Sequence, residues 1–399
     1  MPAEEKMKTL FKKIITFIYF AKTAIIEQVF SIFTVFFMFL VSIVLFGTFV
    51  SCSKTQKVDS AVRQKKVIVY VYDSFASEWG AAPVLKKAFE TTSNYEVEFV
   101  SVGDARDVIR RAYLEKKAPI ADVLLGIDNH IAQEVEGYGI LQPYKPEDSD
   151  VILPFVHFSQ FLQNQEQSTL TEKNEWLITP YDWGYFAFIY DTESKIKKPQ
   201  SLSELTNEIY RKKIIIMDPR TSTPGLGFVA WTYAIFGEEG YEDFWHSFKS
   251  SVLTMAPSWD SGYNLFLEGE APFVISYSTS PAYHIVSENT HRYVALFFDE
   301  GHIAQVEGAG LVSGCPNVEG GKAFLDFLIS KEAQKHIPLT QWMYPVNKDV
   351  DLPASFALPP MNDTEKDKSR EAKTQTKLNV SGKKALEVAD RVIQILNER

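Results

Sequence analysis

The sequence predicts an α/β protein of two lobes, and three observations predict it. Short β-branched and aromatic runs alternate with runs of helical apolar spacing from Lys66 to Gly139. The alternation begins again after Ser201. At 399 residues, 45% apolar and 23% charged, the chain is also long enough for two domains of ordinary size. The first set implies a parallel sheet with helices on its faces, and in such sheets ligands gather beyond the carboxyl ends of the strands.

The segment before that alternation is set apart. Lys8, Lys12, Lys13 and Lys22 precede an uncharged apolar run from Val29 to Val50, ending in "GTFVSCSK". This is the order of a secretory leader. Gly47 and Ser51 before Cys52 resemble a bacterial lipobox, with Phe49 where leucine is usual, so Cys52 is expected to carry lipid and to begin the mature chain. Met7 is an alternative start, and an uncleaved membrane helix is the competing reading. With Cys52 lipidated, Cys315 is the remaining thiol and no disulfide forms within the mature chain. Cys315 has Gly and Pro neighbours and no nearby base to activate it, which argues against a nucleophile. "SKTQKVDSAVRQKK" then reads as a polar tether.

Within the fold, "KVIVYVYDSF" reads as a strand and "GAAPVLKKAFETTS" as a helix. "YEVEFVSVGD", "ARDVIRRAYLEK", "ADVLLGID" and "NHIAQEVEGYG" continue the strand and helix alternation. The stretch "VHFSQFLQNQEQSTLTEKNEW" has little pattern, and "LITPYDWGYFAFIYD" is strongly β-prone. "SLSELTNEIYRKKIIIMD" reads as a helix opened by the capping box Ser201 to Glu204, followed by a buried strand. A helix through Phe236, the helix "GYEDFWHSFKSS", a turn over Gly262 to Glu268 and the amphipathic helix "KAFLDFLISKEAQKHI" follow. "NDTEKDKSREAKTQTK" is a charged linker, and "SGKKALEVADRVIQILNER" is a last amphipathic helix.

Charge narrows the function classes. A net charge of −10 disfavours nucleic acid, which needs clustered Lys and Arg, and favours a cationic or neutral ligand. The chain holds 29 Phe, 18 Tyr and 7 Trp, most of them expected in the core. Aromatics beside loop signals are the better ligand candidates. These are Tyr72 and Trp79 after the first strand, Trp259, Tyr277 and Tyr283 around "STSPA", and Trp342 in an irregular segment. Phe186 and Phe188, inside an apolar period, read as core. In "DPRTSTPGLG", Pro224 suits a first helical turn, while Gly225 and Gly227 let a ligand approach backbone donors. Thr221, Ser222 and Thr223 there make a pocket for a phosphate or hydroxyl oxygen, or, alternatively, a plain helix cap. Arg220 reads as structural with Asp218 as its partner, and His284 as a structural histidine.

"YVYDSFASEWG", "ADVLLGIDN", "PYDWGYFAFIYD", "DPRTSTPGLG", "SYSTSPAYHI" and "QWMYPV" closely resemble, in matching order from Lys66 to Pro353, the thiamine-binding periplasmic proteins of bacterial ABC importers. The resemblance implies a two-lobed periplasmic-binding-protein fold of type II, with a hinge and an interlobe ligand cleft. It implies capture of thiamine or its phosphates, delivery to ABC transporter permease subunits, no cofactor and no catalysis. It carries Tyr72, Trp79, Trp259, Tyr277, Tyr283 and Trp342 to the cleft, with Asp104 at its edge and Ser222 as the phosphate or hydroxyl contact. Thiamine needs aromatic faces for its thiazolium and aminopyrimidine, acceptors, and donors for its hydroxyethyl arm.

The expected organisation is a signal peptide over 1–51, a lipid-anchored tether over 52–65, and a first lobe over 66–180. A second lobe over 181–295 and a return to the first lobe over 296–345 follow, then a C-terminal linker and helix packing on the second lobe over 346–399. The protein is expected to be a periplasmic monomer anchored through Cys52, without nucleic-acid partners and without a bound metal. A ferric-ion binder of the same fold, using Tyr277, Tyr283 and His284, is the alternative. A thiamine-cleaving enzyme is a weaker one, since it needs an activated thiol.

Overall fold

The computed structural model describes residues 65–158, 176–356 and 380–398. The leader, Cys52, nearly all of the tether, most of the unpatterned stretch and the charged linker lie outside the described residues. The first lobe opens with β1 (Lys66–Val71), the short α1 (Asp73–Ala76), α2 (Ala82–Thr92), β2 (Glu96–Ser101), α3 (Ala105–Leu114), β3 (Val123–Asp128), α4 (Ala132–Tyr138) and β4 (Leu141–Gln142). β1 runs parallel to β2 and β3, as the alternation predicts. Every residue of β3 is buried, which is what a central parallel strand covered on both faces requires.

β5 (Thr179–Asp191) carries the chain across. Its first half, through Tyr185, pairs antiparallel with β10 (Ala304–Val312), and from Phe186 to Tyr190 it pairs with β8 (Phe273–Tyr277). The second lobe adds β6 (Ile214–Met217), α5 (Thr223–Phe248), β7 (Val252–Ala256), α6 (Trp259–Leu267), α7 (Ser280–Ser287) and β9 (Tyr293–Ala295). β10 then returns to lie antiparallel between β3 and β5, so the strand order is β2-β1-β3-β10-β5-β8-β6-β7. The sheet is therefore mixed at its centre and parallel toward its edges. α8 (Val318–Ile329), α9 (Lys331–Gln334), α10 (Ile337–Thr340) and β11 (Tyr344–Pro345) complete the return, and α11 (Gly382–Asn397) closes the chain.

Three expectations fail locally. Ser201 to Tyr210 makes two 3₁₀ turns, Ser203–Thr206 and Glu208–Tyr210, rather than a helix. Half of the capping box forms, with Glu204 N–H donating to Ser201 Oγ at 3.1 Å, while the Glu204 carboxylate accepts from the Gln200 amide at 3.1 Å instead of from Ser201. Burial of Leu202, Leu205 and Tyr210 holds a tighter path, and Asn207 is extended at ψ 147°. Residues 262–268 lie within or at the end of the helix α6 instead of a turn, because Ser258 and Ser261 cap its start reciprocally. The amphipathic run after Lys322 is broken at Ser330, whose extended backbone ends α8 and whose Oγ caps α9.

Elsewhere local chemistry sets the boundaries as expected. Gly237, at φ 68°, interrupts α5 between the two helical runs. Phe186 and Phe188 are fully buried. Arg220 pairs with Asp218, Nη2 to Oδ2 at 2.5 Å. α11 is capped by Ser381 and buries Ala385, Val388 and Val392. It packs on α5 and also reaches α4, where Gln133 accepts from the Lys383 amide at 3.3 Å. Arg391 and Lys384 pair with Glu242 and Glu238 of α5. Cys315 is buried near Gln142, away from the cleft motifs.

Candidate functional site

A cavity of about 500 Å³ opens where the two lobes meet, within the range of small-molecule sites. Tyr72, at the end of β1, and Asp104, which caps α3, line it from the first lobe. From the second lobe come Thr223 and Pro224 at the start of α5, Trp259 and Asp260 of α6, and Tyr277 at the end of β8. Tyr283 of α7, Glu307 of β10 and the Gln341–Trp342 segment complete the wall. These positions cluster at strand ends and helix starts. Trp79 lies at the rim with half of its surface exposed.

The aromatic groups are held from behind. Trp259 donates Nε1–H to Ser276 Oγ at 2.8 Å and stacks on Tyr263, with centroids 5.0 Å apart. Tyr277 stacks on Phe186 and donates its hydroxyl to Gln305 at 2.9 Å. Tyr283 and Trp342 meet edge to face, centroids 5.2 Å apart and planes at 85°. Trp342 adopts φ 58°, a backbone state uncommon for a large side chain. Its local strain coincides with the cavity wall.

Ser222 does not reach the cavity. It is fully buried, stands at the N-cap of α5, and makes no side-chain cap bond. Its hydroxyl is therefore not the plain side-chain cap, and it lies behind the wall with no hydrogen-bond partner. Thr223 and Pro224 are the residues of that stretch at the wall. Gly225 and Gly227 are also redirected. A Cβ on Gly225 would lie 2.5 Å from the Met217 carbonyl, and one on Gly227 would lie 2.1 Å from the Phe186 ring. Their role is to let α5 pack against β6 and β5, not to admit a ligand.

Charge is the feature that the motifs alone did not disclose. Asp73, Asp104, Asp260 and Glu307 line the cavity, and among the described residues lining it there is no Lys, Arg or His. Burial, and then the charges of Glu307, Asp107 and Asp260, push the Asp104 carboxyl up to about 7 against the pull of the Ala105 amide. Burial and Asp73 raise Asp260. Glu307 accepts from Tyr72 at 2.7 Å, from Tyr181, and from Gln305 at 2.6 Å. Gln341 donates to Tyr72 in turn. Beside Glu307, Asp182 is fully buried and both of its oxygens lack a hydrogen-bond partner. Burial and mutual repulsion hold both carboxyls above the usual range. Glu307, Asp260 and Gln341 escaped the sequence reading. A lone acid in the otherwise uncharged "IAQVEGAGLV" was the available signal for Glu307.

A stability prediction follows from these signs. A carboxyl raised by folding contributes stability while protonated and loses it as pH rises toward its folded pKa. His130 and His302, lowered by burial to about 4, act oppositely, but only up to the ordinary imidazole value of about 6.5. Between about pH 6.5 and 8 the carboxyls act alone, at up to about 1.4 kcal/mol per pH unit for each proton held. Thermal unfolding of the ligand-free protein should therefore show a melting temperature that falls across that interval. A flat or rising profile would contradict the raised carboxyls.

His284 lies between the Tyr263 hydroxyl at 2.9 Å and Glu288 at 2.8 Å, a structural setting. Among the described residues no group of three or more His, Cys, Asp or Glu is placed to hold a metal ion. The ferric alternative, paired tyrosines with acid or His ligands, is the less supported reading, since His284 is engaged by Tyr263 and Glu288 and the Tyr277 hydroxyl is given to Gln305.

A mixed sheet crossed twice by the chain, with an aromatic and acidic cleft at the crossing, defines a solute-binding protein of two lobes. Residues 118–370 match the bacterial extracellular solute-binding protein family, to which the chain belongs. Within it, the chain belongs to the thiamine-binding periplasmic proteins. It is 38% identical over 302 residues to the thiamine-binding periplasmic protein of Brucella melitensis, covering 75% of this chain and 85% of the relative. It is 38% identical over 288 residues to that of Escherichia coli K12, covering 72% and 83%. A solved periplasmic thiamin binding protein superposes with a TM-score of 0.69 at 34% identity, covering 83% of this chain and 95% of that one.

Proposed function

We propose that this protein captures thiamine, free or phosphorylated, in the interlobe cavity and delivers it to the permease of an ABC importer. The observation that carries the reading is the composition of the wall, in which aromatic faces and four carboxyls surround a space with no Lys, Arg or His among the described lining residues. A fixed-charge thiazolium fits such a wall, since it offers no proton and gains from π faces and nearby carboxylates. Tyr72, Trp259, Tyr277, Tyr283 and Trp342 supply the faces, with Trp79 at the entrance. The free amides at the start of α5, beside Thr223 and next to Ser222, suit the hydroxyl or phosphate of the arm. Asp104 faces the same space across the cleft.

Lipid on Cys52 completes the proposal by keeping the protein at the outer face of the cytoplasmic membrane. Two acyl chains anchor stably where one does not. Mass spectrometry of protein extracted from native membranes tests both parts. The expected result is released thiamine or a thiamine phosphate, together with a chain beginning at a diacylated Cys52. A different released solute overturns the cargo, and a chain retaining Met1 or Met7 overturns the anchor.

A further inference from the structure

Three buried carboxyls stand in one row across the strands that join the lobes. Glu307 of β10 is opposite Asp128 of β3 on one side and opposite Asp182 of β5 on the other. Both registers slip just beyond it, between Gly308 and Ala309 and between Glu307 and Gly308. Glu307 reaches the cavity, while Asp128 and Asp182 are fully buried behind it. We propose that this row carries a proton in the empty protein and gives it up to solvent when a cationic ligand enters, so that ligand capture is coupled to proton release. The inference rests on the thiamine reading above.

The surroundings of the row decide how it must ionise. Asp128 accepts from the amides of His130 at 2.7 Å and Ile131 at 3.0 Å through Oδ1, whereas Oδ2 has no partner. The His130 ring is buried, makes no hydrogen bond, stands with Nδ1 3.7 Å from Asp128 Oδ1, and is held neutral by burial. Arg106 is the cation that acts on Asp128, and it is committed to Glu134 at 2.9 Å. Glu307 is served by the hydroxyls of Tyr72 and Tyr181 and by Gln305, donors that stabilise one carboxylate. Neither Asp182 oxygen makes a hydrogen bond of ordinary geometry, the Tyr181 hydroxyl being the one donor near enough to act on it, and Asp182 faces Glu307. Asp104 adds a further acid across the cavity, and Tyr277 adds a neutral hydroxyl.

Adjacent carboxyls in a site without water's dielectric do not all ionise together, as paired acids elsewhere share a proton. A permanent cation changes that balance. It lowers the cost of the last ionisation, and the O–H bond of one acid breaks heterolytically. The carboxylate stays and the proton goes to buffer. Thiazolium has no titratable proton of its own, and the aminopyrimidine of free thiamine is a weak base almost wholly unprotonated at neutral pH, so a substantial proton release there comes from the protein.

The test is isothermal titration of thiamine into the full mature protein between about pH 6 and 7.5, in buffers of differing ionisation enthalpy. The expected heats depend on the buffer in the sense of proton release. The dissociation constant should fall by about three- to tenfold per pH unit, tenfold being the limit for one whole proton. Glu307→Gln, which keeps the shape and the hydroxyl partners, should diminish the release and flatten the pH dependence. Asp182→Asn, which does not touch the cavity, should do the same by removing the acid that shares the proton with Glu307. Binding with identical heats in every buffer would overturn the proton coupling and leave the thiamine reading standing. Loss of release in neither variant would remove it from this row. Absence of any thiamine binding to the wild type would overturn the functional reading itself.

Discussion

Trp342→Ala and Tyr283→Ala are each expected to weaken thiamine binding by roughly 1–3 kcal/mol, about 5- to 150-fold, the size of stacking and cation–π interactions in a desolvated cleft. The edge-to-face contact between these rings, at 5.2 Å, leaves no slot for a third ring between them. A planar ligand must either part them or stack on one while the other closes over its edge. In both cases each ring contacts the ligand. Trp342→Phe should recover part of the loss, because it retains an aromatic face of smaller area. Calorimetry on folded variants, checked by thermal unfolding, reads the effect. Wild-type affinity in both alanine variants would move the ligand's ring system to the Trp259 side of the cavity.

Gly227→Ala is expected to destabilise the protein by roughly 1–3 kcal/mol, the usual cost of overpacking a close-packed core. The added methyl would sit 2.1 Å from Phe186, and that ring supports Tyr277 from below. Relief requires α5 to move away from β5 or Phe186 to leave its place, and the second option tilts Tyr277. The melting temperature should fall by roughly 1–5 °C, since the shift per kcal/mol shrinks with chain length to about 1–2 °C at this size. Ligand affinity should fall as well, which a remote core defect would not cause. An unchanged melting temperature would show that the close approach of helix and ring is not what requires glycine there.

Much of the fold was legible because its signals are local. The runs at Val67, Val97, Val123 and Ile214 are β-branched or aromatic and flanked by polar breaks, and each became a strand. Tyr72, Trp259, Tyr277, Tyr283 and Trp342 stood beside turn signals, and the fold brings all five to one cavity. Ser222 misled because an N-cap position has two sides. Sequence shows that a hydroxyl stands at a helix start, but not whether the following turn rotates it inward. The glycines of the same stretch misled likewise, since the residue that approaches Gly227 is Phe186, 41 positions earlier. The acids were harder still. Glu307 meets Asp182 and Asp128 only through strand pairings across more than a hundred residues of chain.

The placement of β10 has a consequence for how the chain is made. β3 is complete at Asp128, yet the strand that covers its edge begins at Ala304, roughly 180 residues later. At a synthesis rate of about 5–20 residues per second, that edge waits on the order of ten to thirty seconds for its partner. The strands of the second lobe suffer no such delay, since β6, β7 and β8 lie within one uninterrupted stretch, although α11 reaches α5 only at the end of the chain. Newborn chains therefore acquire the strands of the second lobe while the first still presents an open, apolar strand, a state in which a holding chaperone has a surface to grip and translocation meets no finished barrier.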